Sequence, residues 1–343
     1  MHKELSESDI RFLKKYSEIT KIADKESKKD HCLLCGKKCQ SFCKSHIIPQ
    51  FVLNNIAENG YLYRGLDVFV KETSHINDLR GINNTWTFKV ICNECDQKYF
   101  KDYESEMALV QPPTTRIMAE IGLKSTMMMI AKRYHEISFY NQVASKIHNK
   151  ELLDEEQNLD VRDFLFDFKR LKKIIDKNLK SGLTLLYYKV LDYITPLAMQ
   201  GPISVHRDLD GEIVNDVNNY DPNIKMQSLF CAVFPLKQKT VIMLFHLRDD
   251  RNYVKFDRKF LKLPEEEKIC YINYLIFKYC EHFALSPKVK KEIILNDKLI
   301  KLSKEHNDSK KKIQTIEEIL LGDDELVYWK DIPNLLSEEN QII

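Results

Sequence analysis

The spacing of apolar residues changes along the chain, and each change marks a region of different predicted structure. Residues 5–23 predict an amphipathic helix, because their apolar positions recur at the spacing of one helix face. These positions are Phe12, Tyr16, Ile19 and Ala23. The charged run 24–30 is typical of a solvated linker. From residue 31 to about 106, short apolar patches alternate with glycine and cysteine, which predicts short strands and loops.

Long helices are predicted after the helix-breaking sequence Gln111-Pro-Pro113. Residues 115–149 are rich in Met, Ile and Ala, and residues 154–180 keep an apolar face, so both segments predict helices. The second of them carries six basic residues between 169 and 180, which indicates either a solvated helix face or a nucleic-acid contact. Three later segments predict closing helices: 269–283, 287–302 and 313–321.

Strand signals concentrate in residues 183–263. The apolar runs 228–235 and 240–246 are joined by a short polar segment and predict a buried hairpin. The predicted fold class is therefore α+β, with an N-terminal zinc-stapled module followed by a helical and antiparallel-strand region. We expect an N-terminal helix and linker, a zinc-binding module, a helical region and an α+β C-terminal region, in the order 1–30, 31–112, 113–182 and 183–343.

Composition is that of an ordinary folded protein. The 343 residues are 43% hydrophobic and 30% charged, and the net charge of +2 excludes no class of partner. No apolar run approaches the roughly 18 residues of a membrane span, and residues 1–7 lack the apolar core of a secretion signal. We therefore expect a cytoplasmic protein without a membrane partner. Reducing compartments keep thiols free, so metal binding explains the early cysteines better than disulfides do.

Two Cys-x-x-Cys pairs predict a structural zinc site. Their members are Cys32, Cys35, Cys92 and Cys95. Zn²⁺ prefers a tetrahedron of thiolates, and each short pair supplies two ligands from one tight turn. Cys39 and Cys43 leave an alternative open, in which they complete a local site with the first pair alone. Cys231, Cys270 and Cys280 are expected to be buried thiols.

A histidine stands between the two pairs, in the sequence Ser45-His-Ile-Ile-Pro49. A Cys-x-x-Cys, a His-Ile-Ile-Pro and a second Cys-x-x-Cys that opens a helix resemble the treble-clef HNH nucleases of the His-metal finger superfamily. The likeness covers residues 32–106 and is closest to a divergent bacterial Ser-His-Ile-Ile-Pro branch. It implies a ββα-metal fold in which His46 is the general base. The family usually has a metal-ligating Asp, Glu or His where this chain has Ser45.

The resemblance also implies a catalytic Mg²⁺ or Mn²⁺ that is distinct from the zinc and is held by the helix after the second pair. Asp96 and Phe100 stand where the family often has histidines. Asp96 and Glu104 are the candidate ligands, because carboxylates suit hard cations; the alternative is that both are solvated carboxylates near a helix start. Asn84, or its neighbour Asn83, is the candidate for the family's middle asparagine.

The resemblance implies a metal-dependent endonuclease that cleaves phosphodiester bonds in DNA. Lys37, Lys38 and Lys44 make the first pair locally basic and are the candidate phosphate contacts. By analogy alone, we expect a role in bacterial defence against phage and a protein activator or regulatory subunit. The alternatives are a catalytically degenerate zinc finger that binds nucleic acid or protein, and a zinc-stapled subunit whose work is done by its C-terminal region.

Overall fold

Helices and antiparallel strands both contribute to the fold. The structure is a computed structural model and describes residues 6–65, 79–147, 154–280, 282–308 and 328–342. The helices are α1 Glu7–Glu26, α2 Gln50–Ile56, α3 Asn93–Phe100, α4 Glu106–Leu109, α5 Thr115–Ile147, α6 Asp154–Asp176, α7 Tyr253–Leu261, α8 Glu265–Tyr279, α9 Lys291–Ile294 and α10 Asp297–Asp308. Among the described residues, no helix combines the length and apolar composition that a bilayer span needs.

The strands fall into a small pair and a large sheet. They are β1 Ser45–His46, β2 Tyr61–Arg64, β3 Leu79–Gly81, β4 Thr87–Phe88, β5 Leu183–Leu191, β6 Leu197–Ile203, β7 Leu229–Pro235, β8 Thr240–Leu247 and β9 Phe283–Leu285. By its internal contacts the chain divides into two units. Unit 1 comprises Met1–Ile47, Thr87–Gly182 and Asp216–Met226, and unit 2 comprises Ile48–Trp86, Leu183–Asn215 and Gln227–Ile343.

Unit 1 is built on helix α5, which packs against both α1 and α6. Helix α1 buries Ile19 and Ala23 of its predicted apolar stripe, whereas Phe12 and Tyr16 are exposed. The short strands β1 and β4 pair antiparallel, with Ser45 opposite Phe88 and His46 opposite Thr87. Helix α3 begins a few residues after β4, so the paired strands β1 and β4 are followed directly by a helix.

Unit 2 contains a seven-stranded antiparallel sheet in the order β3-β2-β9-β6-β7-β8-β5. Every residue of β7 and β8 is buried, which is why these strands are continuous apolar runs rather than alternating ones. The core joins strand residues such as Met199 and Leu244 to helix residues such as Phe256 and Ile272. A fully buried side chain of this kind contributes roughly 1.5–3 kcal/mol through its removal from water.

Most of the predicted elements are confirmed. The α+β class, the first helix, the helices over 115–149 and 154–180 and the hairpin of β7 and β8 are all present. The linker prediction was wrong for residues 24–26, because α1 extends to Glu26. Residues 313–321 lie outside the described part of the chain. The four-part division of the chain remains a prediction.

Two boundaries near the C-terminus were also wrong. Residues 253–261 form a helix rather than a strand, because their buried aromatic residues Tyr253, Phe256 and Phe260 recur at helical spacing. Helix α8 ends at Tyr279, and Phe283 begins strand β9, which pairs with β2 and β6. A three-residue apolar run does not by itself predict a strand, because the strand depends on pairing with distant segments.

Candidate functional site

Four cysteine thiols gather in unit 1. They belong to Cys32, Cys35, Cys92 and Cys95, and their Sγ atoms all lie within 4.8 Å of one another. The Sγ atoms of Cys35 and Cys92 are 4.0 Å apart. A tetrahedral zinc ion with Zn–S bonds of about 2.3 Å separates its ligands by about 3.8 Å, so the observed spacing fits. The four thiols can therefore hold a metal ion such as zinc.

Each pair is shaped by its own local backbone. In the first pair, the Gly36 N–H donates to the Cys32 carbonyl over 2.8 Å, and the Cys32 N–H donates to the Lys37 carbonyl over 2.9 Å. Gly36 has a φ of 70°, a left-handed conformation that favours glycine. In the second pair, Cys92 is the N-cap of α3, and its N–H points to the Cys32 sulfur over 3.4 Å. The first cysteine pair thus lies in a tight turn, and the second lies at the start of a helix.

The remaining early cysteines lie outside this cluster. The Cys39 thiol contacts the Lys37 carbonyl over 3.4 Å. Burial, reinforced by the nearby Asp96 carboxylate, raises the pKa of Cys43 to about 11. Neither thiol belongs to the group of four whose Sγ atoms lie within 4.8 Å of one another. The local alternative built from Cys39 and Cys43 is therefore not formed, and the second Cys-x-x-Cys pair completes the group instead.

A second polar group adjoins the thiols. The Ser45 hydroxyl on β1 donates a hydrogen bond of 2.6 Å to Asp96 Oδ1 in the first turn of α3. Ser45 is almost fully buried, whereas the Asp96 side chain is 20% exposed. Ser45 and Asp96 occupy the two positions at which the sequence resemblance expects metal ligands. The structure brings these two positions into contact.

Lys124 of helix α5 completes this group. Its ammonium nitrogen forms an ion pair with Glu104 and lies 3.7 Å from Asp96 Oδ1. The Lys124 side chain is only 2% exposed, and its ammonium lies 4.7 Å from the centre of the Phe100 ring. We call Ser45, Asp96, Glu104 and Lys124 the carboxylate cluster. One buried ammonium group thus offsets one of the two carboxylate charges.

The net charge of the carboxylate cluster decides how strongly it attracts a cation. With Lys124 in place, the two carboxylates and one ammonium carry a net charge of −1 instead of −2. The Coulomb attraction for a divalent ion near the cluster is therefore roughly halved. Hard oxygen donors nevertheless remain: the Ser45 hydroxyl, and the carboxylates of Asp96 and Glu104, which are 20% and 35% exposed.

Two other ionic residues lie on the same face of α5 as Lys124. Arg116, Glu120 and Lys124 follow one another at four-residue spacing, which places them on one face. The Arg116 guanidinium lies 2.6 Å from Asp102 and 2.9 Å from Glu120. Glu120 is fully buried, and burial, with the Asp102 charge, raises its pKa to about 8. Helix α5 therefore carries a row of ionic residues, of which Glu120 and Lys124 are buried.

The other predicted site residues occupy different positions. His46 follows Ser45 directly in β1, lies opposite Thr87 and is half-buried. Asn84 is exposed and belongs to a 3₁₀ turn, Ile82–Asn84, in unit 2, where its neighbour Asn83 accepts a hydrogen bond of 2.9 Å from Gln50. The lysines of the first pair are all exposed: Lys37, Lys38 and Lys44. The catalytic and nucleic-acid roles of these residues remain predictions.

Lys124 was missed in the sequence, although a signal for it exists. It is the one lysine in the otherwise mostly apolar stretch 117–130, which the structure buries almost completely. A lone lysine at the buried face of a helix requires a negative partner, because an unpaired buried charge is very costly. Asp96 and Glu104 are acidic residues of the predicted module, so they could have been named as the partners of Lys124.

Unit 2 holds a buried charged group of its own. His246 on β8 is 3% exposed, and its Nε2 lies 3.0 Å from Asp257 while its Nδ1 lies 2.8 Å from the Leu247 carbonyl. Because both ring nitrogens face acceptors, the doubly protonated ring fits this site best. Burial acts to lower the pKa of His246, but the hydrogen bonds to Asp257 and Leu247 outweigh it and raise the pKa.

The thiol cluster and the carboxylate cluster therefore stand side by side, joined by Cys95 and Asp96, which are neighbours in α3. The first offers soft ligands for a structural ion, and the second offers oxygen atoms and a buried ammonium. Comparisons of this chain with protein-family models, with curated proteins and with solved structures found no match.

Proposed function

We propose that unit 1 contains a treble-clef, ββα-metal module that acts as an HNH-type, metal-dependent endonuclease on DNA. The observation that carries the proposal is the contact between Ser45 and Asp96 beside the four thiols. Ser45 and Asp96 are 51 residues apart in sequence, and their side chains form a hydrogen bond of 2.6 Å between strand β1 and helix α3. The pairing of β1 with β4, followed by α3, supplies the ββα order of elements.

The proposed roles follow from the residue chemistry. Zinc at the four thiols holds the first turn against the start of α3. His46 acts as the general base that takes a proton from the attacking water, since an imidazole titrates near neutral pH. Asp96 and Glu104 would hold the divalent cation. When bound, Mg²⁺ or Mn²⁺ supplies positive charge that stabilises the phosphate and the leaving oxygen.

Plasmid nicking tests this proposal. The full chain is incubated with supercoiled DNA and Mg²⁺ or Mn²⁺, and His46→Ala is compared with His31→Ala, an exposed histidine of the same module. We expect the wild type and His31→Ala to nick the plasmid, and His46→Ala to be at least 100-fold slower, because a general base contributes about 10²–10⁴-fold. Equal nicking by all three proteins would exclude the role of His46.

A setting in defence against phage, with a protein that controls the nuclease, is proposed by analogy, because an unrestrained nuclease would endanger its host. Cells that express the chain would be challenged with phage, and plaque counts compared for wild type and His46→Ala. Protection by the wild type alone supports the setting. Undiminished protection by His46→Ala would contradict it.

The ion pairs of Lys124 favour a second candidate function, a zinc-stapled module that binds nucleic acid or protein without cleavage. In this candidate the buried ammonium permanently occupies the place of a catalytic cation. Isothermal titration with Mn²⁺ distinguishes the two: a nuclease site binds the ion, and Asp96→Asn weakens that binding. A chain that binds DNA in a salt-dependent manner, but neither binds Mn²⁺ nor nicks DNA, is a binding module.

A further inference from the structure

One face of helix α6 is exposed along three turns. Its exposed positions recur at the spacing of a single helix stripe and end one residue past the helix: Phe166, Lys169, Lys173 and Lys177. The opposite stripe, which includes Phe168, Leu171 and Ile174, is buried in unit 1. We call the four exposed residues the α6 stripe. It lies outside the predicted zinc module.

The three lysines of the α6 stripe have no acidic partner among the described residues, although α6 is rich in aspartate. The acidic side chains of this part of the helix are engaged elsewhere. Asp163 binds Arg162, and Asp167, at 1% exposure, binds Lys225. Asp176 accepts a 2.6 Å hydrogen bond from the Tyr99 hydroxyl and pairs with Lys172. The negative charge is therefore used internally, and the positive charge of the stripe faces solvent.

A row of like charges at four-residue spacing destabilises a helix. Residues 169–180 carry six basic side chains against one acidic one, in a chain whose total charge is only +2. Lys169, Lys173 and Lys177 advance by about 6 Å per step along the helix axis. Such a regular row of unpaired ammonium groups is complementary to a chain of phosphates.

Phe166 adds a different kind of contact. Its side chain is 49% exposed and helps to form a shallow groove of about 340 Å³ together with Val161, Leu165 and Lys169. The Lys225 ammonium lies 5.3 Å from the centre of the Phe166 ring. An exposed aromatic ring beside a basic track is the arrangement that binds single strands, because bases stack on the ring while lysines contact the backbone.

We infer that the α6 stripe binds single-stranded nucleic acid, with Lys169, Lys173 and Lys177 on phosphates and Phe166 stacked against a base. This inference goes beyond the proposed nuclease, because it concerns a surface away from the thiol and carboxylate clusters and requires no cleavage. A bilayer surface fits less well, since one phenylalanine is the only large apolar side chain that the stripe presents.

Fluorescence anisotropy with a labelled 20-nucleotide oligothymidine tests the inference. The buffer contains no added divalent ions, so that the oligothymidine is not cleaved, and no EDTA, which would remove zinc from the protein. The triple variant Lys169→Gln/Lys173→Gln/Lys177→Gln is compared with Lys14→Gln/Lys15→Gln/Lys21→Gln, which removes the same charge from exposed positions of α1. We expect the first variant to lose at least tenfold in affinity. The slope of log K against log salt should fall by about two, since single strands contribute about 0.7 per phosphate.

Phe166→Ala separates stacking from charge. We expect it to weaken oligothymidine binding at least fivefold while leaving the salt slope and the affinity for a 20-base-pair duplex unchanged. Circular dichroism of each variant should show the helix content of the wild type, and urea denaturation should show its stability. Equal losses in the α6 and α1 triple variants, or wild-type affinity in the α6 variant, would overturn the inference. Lysine-dependent binding to phosphatidylserine vesicles without oligothymidine binding would overturn it as well.

Discussion

Replacing Lys124 with methionine tests whether the buried ammonium group holds the carboxylate cluster together. Methionine keeps an unbranched side chain of similar shape and removes the charge. In the variant, Asp96 and Glu104 lose the cation that lies between them. The two carboxylates then repel each other in a partly buried site.

The expected magnitude follows from burial. Removing one partner of a fully buried ion pair costs about 3–5 kcal/mol. Lys124 is 2% exposed, but Asp96 and Glu104 are 20% and 35% exposed, so water can partly replace the lost ammonium. We therefore expect Lys124→Met to lower the free energy of unfolding by about 2 kcal/mol.

Urea denaturation measures this change, and Lys101→Met, at an exposed position just after α3, is the matched control. The control should leave the unfolding midpoint unchanged. Mn²⁺ provides a second readout: the cluster of Lys124→Met carries a charge of −2, so the variant should be stabilised by Mn²⁺ more than the wild type. Binding at 100 times the dissociation constant would restore about 2.7 kcal/mol.

Two results would refute this reasoning. If Lys124→Met unfolds at the same urea concentration as the wild type, the ion pairs contribute nothing to stability. If Mn²⁺ stabilises both proteins equally, the ammonium does not compete with a metal for the carboxylates.

Three further predictions concern the metal, a histidine and the core. Purified protein should release about one zinc per chain to a chromogenic chelator; Cys92→Ser should lose it and Cys39→Ser should keep it, and zinc lost from both or neither would contradict the cluster. Since the folded-state pKa of His246 is raised above its ordinary 6.5, its stabilisation is present below that value and disappears as pH rises through the folded pKa. The difference in the free energy of unfolding between wild type and His246→Gln, measured by urea denaturation, should therefore shrink as pH rises. A difference that grows as pH rises would refute the ion pair. Phe245→Ala should cost about 3–5 kcal/mol, because Phe245 is fully buried and stacks on Phe230 at 5.2 Å; a loss below about 1 kcal/mol would contradict that packing.

The elements that the sequence predicted well are those with strong local signals. The strands over 228–235 and 240–246 are apolar throughout because both are buried on both faces, and a short polar turn separates them. The early cysteine pairs are similarly local, since each forms within four residues. Their convergence could be anticipated because zinc demands four ligands and neither pair suffices alone.

The features that escaped prediction depend on distant partners. Strand β9 consists of three residues and exists because β2 and β6 flank it, so nothing within Phe283–Leu285 distinguishes it from the end of a helix. Helix α7 falls within the segment 183–263 that was predicted as strands, whereas burial of its aromatic residues on one helix face decided its structure. Lys124 was assigned to an ordinary helix because its partners, Asp96 and Glu104, lie at least 20 residues away.

Lys124 also changes what the predicted zinc module contains. The four thiols lie between residues 32 and 95, and so do Ser45 and its partner strand β4, so the zinc ligands all fall within the predicted module. The ammonium that offsets the neighbouring carboxylates comes from helix α5, beyond the predicted boundary at residue 112. A fragment that ends at 112 would retain its zinc ligands but leave Asp96 and Glu104 without this counter-charge. The thiol cluster is therefore complete within the module, whereas the carboxylate cluster is complete only in the larger unit that includes α5.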